Sequence, residues 1–320
     1  MPQHSPSVLI VRLDAIGDAM TLVPLIAALR SRVGRIGALL TPANAGVFSK
    51  TALDRRHVAG PNLRVLASEI EARRYDYAFI ATEKPAGYRI AKLARIPNRI
   101  GFENGWGKPF KTLWVRRMCT QTVFRTAGLD LRAPHECEVV FSLARTLMPG
   151  AEPSRDPSLL RTFVLDSQPA KDERIAFQVT DKWIRLGASF EDVLRAAAQI
   201  SESLPVRWIG AQSEQRFISR FQEHLQVNVD SFGEVAPWKD AIAAARAVIA
   251  PDSGAVHIAG MIGTPVAACF AGEHFALQTS RWAPWAAPSV LVQLREGWPA
   301  AAADAVLELV SGTASVLYRG

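Results

Sequence analysis

Two short stretches of this 320-residue chain combine residue types that do chemistry at spacings that let them act together. One is Asp252-Ser253-Gly254-Ala-Val-His257, which follows the apolar run Ala247–Ala250 and opens a helical pattern ending at Gly263. Asp252 and Ser253 stand where N-cap side chains belong, with Gly254 just inside the helix. Free amide N–H groups and the positive end of the helix dipole then face whatever lies above the strand, which suits an anion. His257 lies about one turn past Gly254 and can flank the same opening. The plainer reading of the same residues is a capped helix with an ordinary surface histidine. The other stretch is Asp14-Ala-Ile-Gly17-Asp18, between strand-like Val8–Leu13 and helix-like Leu22–Arg30. With Thr21 as N-cap, Pro24 occupies a first-turn position whose amide has no intrahelical partner to lose. Gly17 and Asp18 are then expected in the strand-to-helix loop, at the sheet edge where open α/β folds bind ligands. A carboxylate there can take a proton from a substrate hydroxyl, or it can simply oppose the dipole of the following helix. Gly17 stands alone, without the GxGxxG spacing of a nicotinamide-binding turn.

The elements that must position these residues alternate. Strand-like runs at Val8–Leu13, Ile36–Leu40, Leu63–Leu66, Tyr75–Ala81 and Ile96–Phe102 are separated by helical patterns, including a polar stretch from Thr41 to His57 and Tyr88–Ala94. Glu103–Arg117 mixes glycines, tryptophans and cations and reads as an irregular loop that could meet an acidic or sugar-like ligand, with Trp106 and Lys108 at its centre. Packing of Trp106 and Trp114 on the core, with solvated cations, is the plain alternative. A helix that begins at Pro134-His135-Glu136 and runs to about Leu147 follows, and then the Pro- and Gly-rich stretch Pro149–Pro157, which with the residues to Lys171 reads as a link between domains. Beyond it come a strand at Arg174–Thr180, Asp181-Lys182-Trp183 in a loop, and an amphipathic helix from Ser189 to Leu204. A strand at Pro205–Gly210, a helix opened by Gln212-Ser-Glu214, the Asp252 segment and a last Ala-rich helix at Pro299–Leu317 complete the order. Such alternation implies βαβ units and parallel sheets. The expected division is 1–165 and 166–320.

Composition narrows the partners. A net charge of +7 favours acidic ones, yet no basic array interleaved with aromatics suggests a nucleic-acid platform. No run approaches the length of a membrane span, and the first residues lack signal-peptide character, so a cytoplasmic protein is expected. Cys119, Cys137 and Cys269 are far apart and odd in number, which suggests neither a disulfide framework nor a zinc site.

With both stretches in view, the sequence resembles glycosyltransferase family 9, the ADP-heptose:lipopolysaccharide heptosyltransferases and their relatives. VLIVRLDAIGDAMTLVPLIAALR is similar to that family's opening motif, and PDSGAVHIAGMIGTPVAACFAG to its second. Arg99–Phe102, His135-Glu136, Lys182-Trp183 and Arg281–Pro284 are similar in order and spacing, so the resemblance spans nearly the whole chain. It implies a GT-B architecture: two Rossmann-like domains facing across a cleft, acceptor on the first and nucleotide-sugar on the second, with a last helix that can pack back on the first domain. Residue by residue, the catalytic base matches Asp18 and the phosphate-binding lysine matches Lys182. Diphosphate and nucleotide contacts match Asp252, Ser253, Gly254 and His257. Gln212 and Glu214 both lie in the loop of the ribose-contacting acidic residue, while Gly17, Trp106 and Lys108 fall on the acceptor side.

The implied activity is an inverting transfer of a heptose or related sugar from an ADP-sugar to a lipopolysaccharide-type acceptor. It uses no cofactor, and without an Asp-x-Asp sequence no metal bridge to the diphosphate is indicated. The partners implied are a nucleotide-sugar, a lipid-linked saccharide and the anionic inner face of the plasma membrane, not nucleic acid. Other readings are a family 9 enzyme with a different donor or acceptor, a nicotinamide-dependent oxidoreductase, which the missing glycine fingerprint disfavours, and a non-catalytic protein that binds anionic ligands.

Overall fold

A computed structural model describes residues 5–126, 131 and 133–312, together with the backbone of 317–319. The chain divides into two compact units, Met1–Arg155 and Asp156–Gly320. The division falls inside the Pro149–Pro157 stretch, ten residues before the expected 165. Residues just past it already pack with the second unit: the Arg161 guanidinium donates to the Ile262 carbonyl at 2.6 Å.

In the first unit the order is β1 (Ser7–Arg12), α1 (Ile16–Met20), α2 (Val23–Arg30), β2 (Arg35–Leu40), β3 (Arg55–Val58), α3 (Leu63–Glu71), β4 (Tyr77–Ile80), α4 (Pro85–Leu93), β5 (Asn98–Glu103), α5 (Pro109–Met118), β6 (Gln121–Phe124) and α6 (Glu136–Phe141). The strands form one parallel sheet in the order β3-β2-β1-β4-β5-β6. β1 is buried along its whole length, as the β-branched run Val8–Val11 requires of a strand covered on both faces.

The second unit runs α7 (Pro157–Leu160), β7 (Ile175–Val179), α8 (Lys182–Arg185), α9 (Phe190–Ser203), β8 (Val206–Ala211), α10 (Gln215–Leu225), β9 (Val229–Phe232), α11 (Val235–Ala244), β10 (Val248–Pro251), α12 (Gly254–Ile262), β11 (Val266–Ala271), α13 (Phe275–Trp282), β12 (Ser289–Leu294), α14 (Trp298–Ser311) and β13 (Leu317–Arg319). Its sheet order is β13-β12-β11-β10-β7-β8-β9. Counted within each unit, both sheets share the doubly wound order 3-2-1-4-5-6, the second with one more strand. Strand order reverses between β1 and β4 in one and between β7 and β10 in the other, and it is beside such reversals that these folds bind ligands. Trp298, Ala302, Ala305, Val306 and Leu309 of α14 are buried in the second unit's own core.

Several sequence expectations are corrected. Gly17 and Asp18 lie in the short helix α1, not in a loop. Thr21 closes that helix, its hydroxyl donating to the Asp18 carbonyl at 2.7 Å, and Leu22 is the N-cap of α2. Leu63–Leu66 opens helix α3: the Asn62 carboxamide accepts from the Arg64 and Val65 amides, and Leu66, Ala67 and Ile70 follow helical spacing inward. Thr41–His57 forms turns and then β3 instead of a helix. The expected loop at Glu103–Arg117 is a 3-10 turn at Gly105–Gly107 followed by α5. Lys182 opens the one-turn helix α8, and α6 stops at Phe141. Leu317 begins a strand, and Ser311 ends the helix expected to reach it. β6, β9 and β12 had no counterpart among the expected strands.

Candidate functional site

At the first strand reversal a buried arginine gathers three carboxylates. Arg12, the last residue of β1, is only 2% exposed. One end of its guanidinium donates to Asp18 Oδ1 at 2.7 Å, and the other to the carbonyl of Ala81, just past β4. Asp14 lies 3.6 Å from its Nε and Glu136 3.7 Å from its Nη2. Glu136, fully buried at the start of α6, also accepts from Arg125 at 2.9 Å. Arg125 continues to Glu83 at 3.4 Å, which Lys111 meets at 3.1 Å. Burial pushes the Glu83 carboxyl up, but the Lys111 hydrogen bond and the charges of Lys111, Arg125 and Lys108 outweigh it and hold the group below its ordinary value.

Asp18 itself is 29% exposed. Its Oδ2 accepts from the Ala15 amide at 3.1 Å, so each carboxylate oxygen is held by one donor and keeps a lone pair for another. The buried Asn44 carboxamide donates to the Arg12 and Asp14 carbonyls, which ties the turn down. A fixed, partly open carboxylate with a buried countercharge is well placed to accept a proton at a defined point.

The second strand reversal carries a lysine and the start of a longer helix. Lys182 opens α8 directly after β7, and Ser253 is the N-cap of α12 directly after β10. Ser253 makes no capping hydrogen bond to α12, contrary to the expectation for Asp252 and Ser253, and among the described residues no side chain accepts from the amides of its first turn, which have no intrahelical acceptor either. The Ser253 hydroxyl oxygen is buried and has no hydrogen-bond partner among the described residues. His257 is not an ordinary surface histidine: it is 11% exposed, its Nε2 lies 3.4 Å from Asp252 Oδ1, and its ring meets Trp282 edge-on. Burial pushes the Asp252 carboxyl up, but the hydrogen bond and charge of His257 and the charge of Lys182 together hold it below its ordinary value.

Beside Lys182 a second carboxylate behaves oppositely. Glu214 accepts from the Thr180 hydroxyl at 2.9 Å, and Arg185 lies 3.6 Å away. Burial, then the adjoining carboxyl of Asp181, push Glu214 up to about 7, against the pull of Thr180 and Arg185. The Thr180 hydroxyl also accepts from the Lys182 amide, linking the turns after β7 and β8.

Of the residues expected from the sequence, Gly17 and Asp18 therefore share one helix turn in the first unit. Lys182, Asp252, Ser253, Gly254 and His257 share one edge of the second sheet, with Glu214 joined to them through Thr180. Gln212 lies in the same turn, against Gly233. Trp106 stands apart and is 94% exposed, while Lys108 contributes its charge at Glu83. Arg12, Glu136 and Asp181 had not been singled out as site residues. The available signal for Arg12 was one cation inside an apolar strand.

No family model matches the sequence, and no curated protein matches it. Solved structures do match over nearly its whole length. The glycosyl transferase of family 9 from Veillonella parvula superposes with a TM-score of 0.75 at 12% identity, covering 98% of this chain and 99% of that one. This chain has the fold of glycosyltransferase family 9. The E. coli heptosyltransferase WaaC with ADP superposes with a TM-score of 0.70 at 16% identity, over 96% of this chain and all of the other. The E. coli ADP-heptose lps heptosyltransferase II does so with 0.66 at 17%, over 96% and 99%. The likeness fixes two Rossmann-like domains in one chain, the composition of a GT-B architecture.

Proposed function

We propose that the protein is an inverting glycosyltransferase that moves a heptose or related sugar from an ADP-sugar to a hydroxyl of a lipid-linked saccharide such as lipopolysaccharide core. The observation that carries this reading is the furnishing of the two strand reversals: an Arg12-held carboxylate at one, and Lys182 beside the uncapped start of α12 at the other. In the proposed step an acceptor hydroxyl attacks the anomeric carbon while Asp18 takes its proton. The bond from that carbon to the diphosphate oxygen breaks, and ADP departs with the electron pair. Lys182 and the Gly254 and Ala255 amides meet the charge that builds on the diphosphate. The route assigns that charge to protein groups and asks for no metal ion. In this reading Thr180 and Glu214 contact the nucleoside, with Gln212 beside them, and Trp106 and Lys108 serve the acceptor side.

The reading carries with it a cytoplasmic location at the inner face of the plasma membrane. Among the described residues no helix is long and apolar enough to cross a bilayer. The decisive experiment screens nucleotide-sugars for release of free diphosphate and then compares Asp18→Asn with the parent. Loss of a general base lowers turnover by roughly 10²–10⁴ and leaves ADP affinity in place. Turnover within about threefold of the parent, or a fall that merely follows lost ADP affinity or a lower Tm, refutes the assignment of Asp18.

A further inference from the structure

Trp106 and Phe110 are 94% and 90% exposed, an unusual state for the two largest apolar side chain types in a folded unit. They are not isolated. Trp106 lies in the 3-10 turn that leads into α5, and Phe110, Leu113 and Arg117 follow one another along one face of that helix, at i, i+3 and i+7. Leu113 is more than half exposed, and so is Phe124 on the edge strand β6. A Cβ on Gly105 would lie 3.3 Å from the Phe124 ring, so that ring sits beside the turn carrying Trp106.

The opposite side of α5 is anchored. Thr112 and Val115 are buried, the Thr112 hydroxyl donates to the Gly105 carbonyl, and Trp114 packs edge-on against the buried Tyr88. The apolar face is therefore held rigidly outward. Its charges are one-sided as well. Arg116 is paired with Glu103 and Lys108 acts on Glu83 by its charge, whereas the Arg117 side chain has no ion pair among the described residues. A helix with aromatic and aliphatic residues outward and cations at their margin matches the acyl boundary and negative headgroups of an anionic bilayer.

We propose that this face, formed by Trp106, Phe110, Leu113 and Phe124 with Lys108 and Arg117, docks the protein on an anionic lipid bilayer. The proposal deepens the membrane contact of the preceding reading but rests on the exposed face alone, and it stands whatever the reaction is.

The test uses the full chain with phosphatidylcholine vesicles, with and without an anionic fraction of phosphatidylglycerol. The expected result is co-sedimentation with the anionic vesicles, with Trp106→Ser/Phe110→Ser weakening partition by about tenfold or more and Lys108→Gln/Arg117→Gln by several-fold. Added salt weakens the parent without abolishing its binding, since screening acts on charges and not on buried rings. An unchanged Tm shows that the variants are folded, and ADP affinity is measured beside each. Vesicle binding lost with ADP affinity retained supports the face; ADP affinity absent in the parent itself sinks the donor assignment and leaves the face standing. Equal partition of the parent and the aromatic variant overturns the proposal. So does a parent that ignores anionic vesicles, or a parent dimer that the aromatic variant turns into a monomer, which would make a second copy the occupant.

Discussion

Replacing Arg12 with methionine keeps an unbranched stem and removes one charge from the first unit. The effect follows from what loses its partner. Asp18 is 29% exposed and can be rehydrated, but Glu136 is fully buried and loses one guanidinium neighbour while keeping Arg125. Breaking a buried ionic network typically costs about 3–5 kcal/mol, and the surviving Arg125 contact argues for the lower end, about 3 kcal/mol. In a unit of this size each kcal/mol moves Tm by about 2–4 °C, so the expected fall is about 6–12 °C. Differential scanning calorimetry or far-UV circular dichroism would measure it. Adding Glu136→Gln to Arg12→Met removes the buried charge that Arg12 helped to balance, so the double variant should melt above the sum of the two single losses by a coupling of at least about 1 kcal/mol. Strict additivity, or an Arg12→Met variant within about 2 °C of the parent, refutes the picture of Arg12 and Glu136 as one network.

Lys182→Ala should weaken ADP binding by roughly tenfold or more in calorimetric titration, because a charged hydrogen bond contributes about 1.5–3 kcal/mol. Ser253→Pro, which disturbs the start of α12, should do likewise; a change below about twofold in both removes the nucleotide from this edge. Glu214 binds its proton more tightly in the folded chain than a free glutamate does near 4.5, so its support for the fold is complete below that pH and is lost as pH rises through about 7. The parent should therefore lose a few degrees of Tm across that window that Glu214→Gln does not lose, and parallel pH profiles would refute the assignment. Gly263, at φ 81°, closes α12, and a Cβ there would lie 2.7 Å from the Pro157 side chain. Gly263→Ala should thus lower the unfolding free energy from denaturant titration by at least the roughly 1 kcal/mol of a left-handed alanine.

What the sequence revealed follows how local its causes are. The strand Val8–Arg12, the glycine-closed helix before Gly263 and the Ser189-capped helix α9 are specified by residues next to one another. Leu63–Leu66 was misread because Leu, Val and Leu at positions 63, 65 and 66 suit a half-buried strand as well as a helix, and the Asn62 cap decides it. β9 escaped because Val-Asp-Ser-Phe is a polar edge strand whose pairing with β8 is its main support. Asp18 and Lys182 were legible as residues but not in their geometry. One sits in a five-residue helix whose N-cap residue, Ala15, has no side-chain acceptor, and the other in a single turn; both are shaped by the strand ends beneath them. The Arg12–Glu136 contact joins residues far apart in sequence and leaves no spacing to read.

The uncapped start of α12 makes the folded state a reporter of what binds there. Any anion that occupies those amides in the folded chain alone raises its stability by mass action, by about 2.7 kcal/mol at a concentration a hundred times its dissociation constant. Melting curves taken across a panel of nucleoside diphosphates and their sugar esters would rank the candidate donors by affinity. They require no acceptor, no product standard and no turnover, so the donor can be sought before the reaction has been observed.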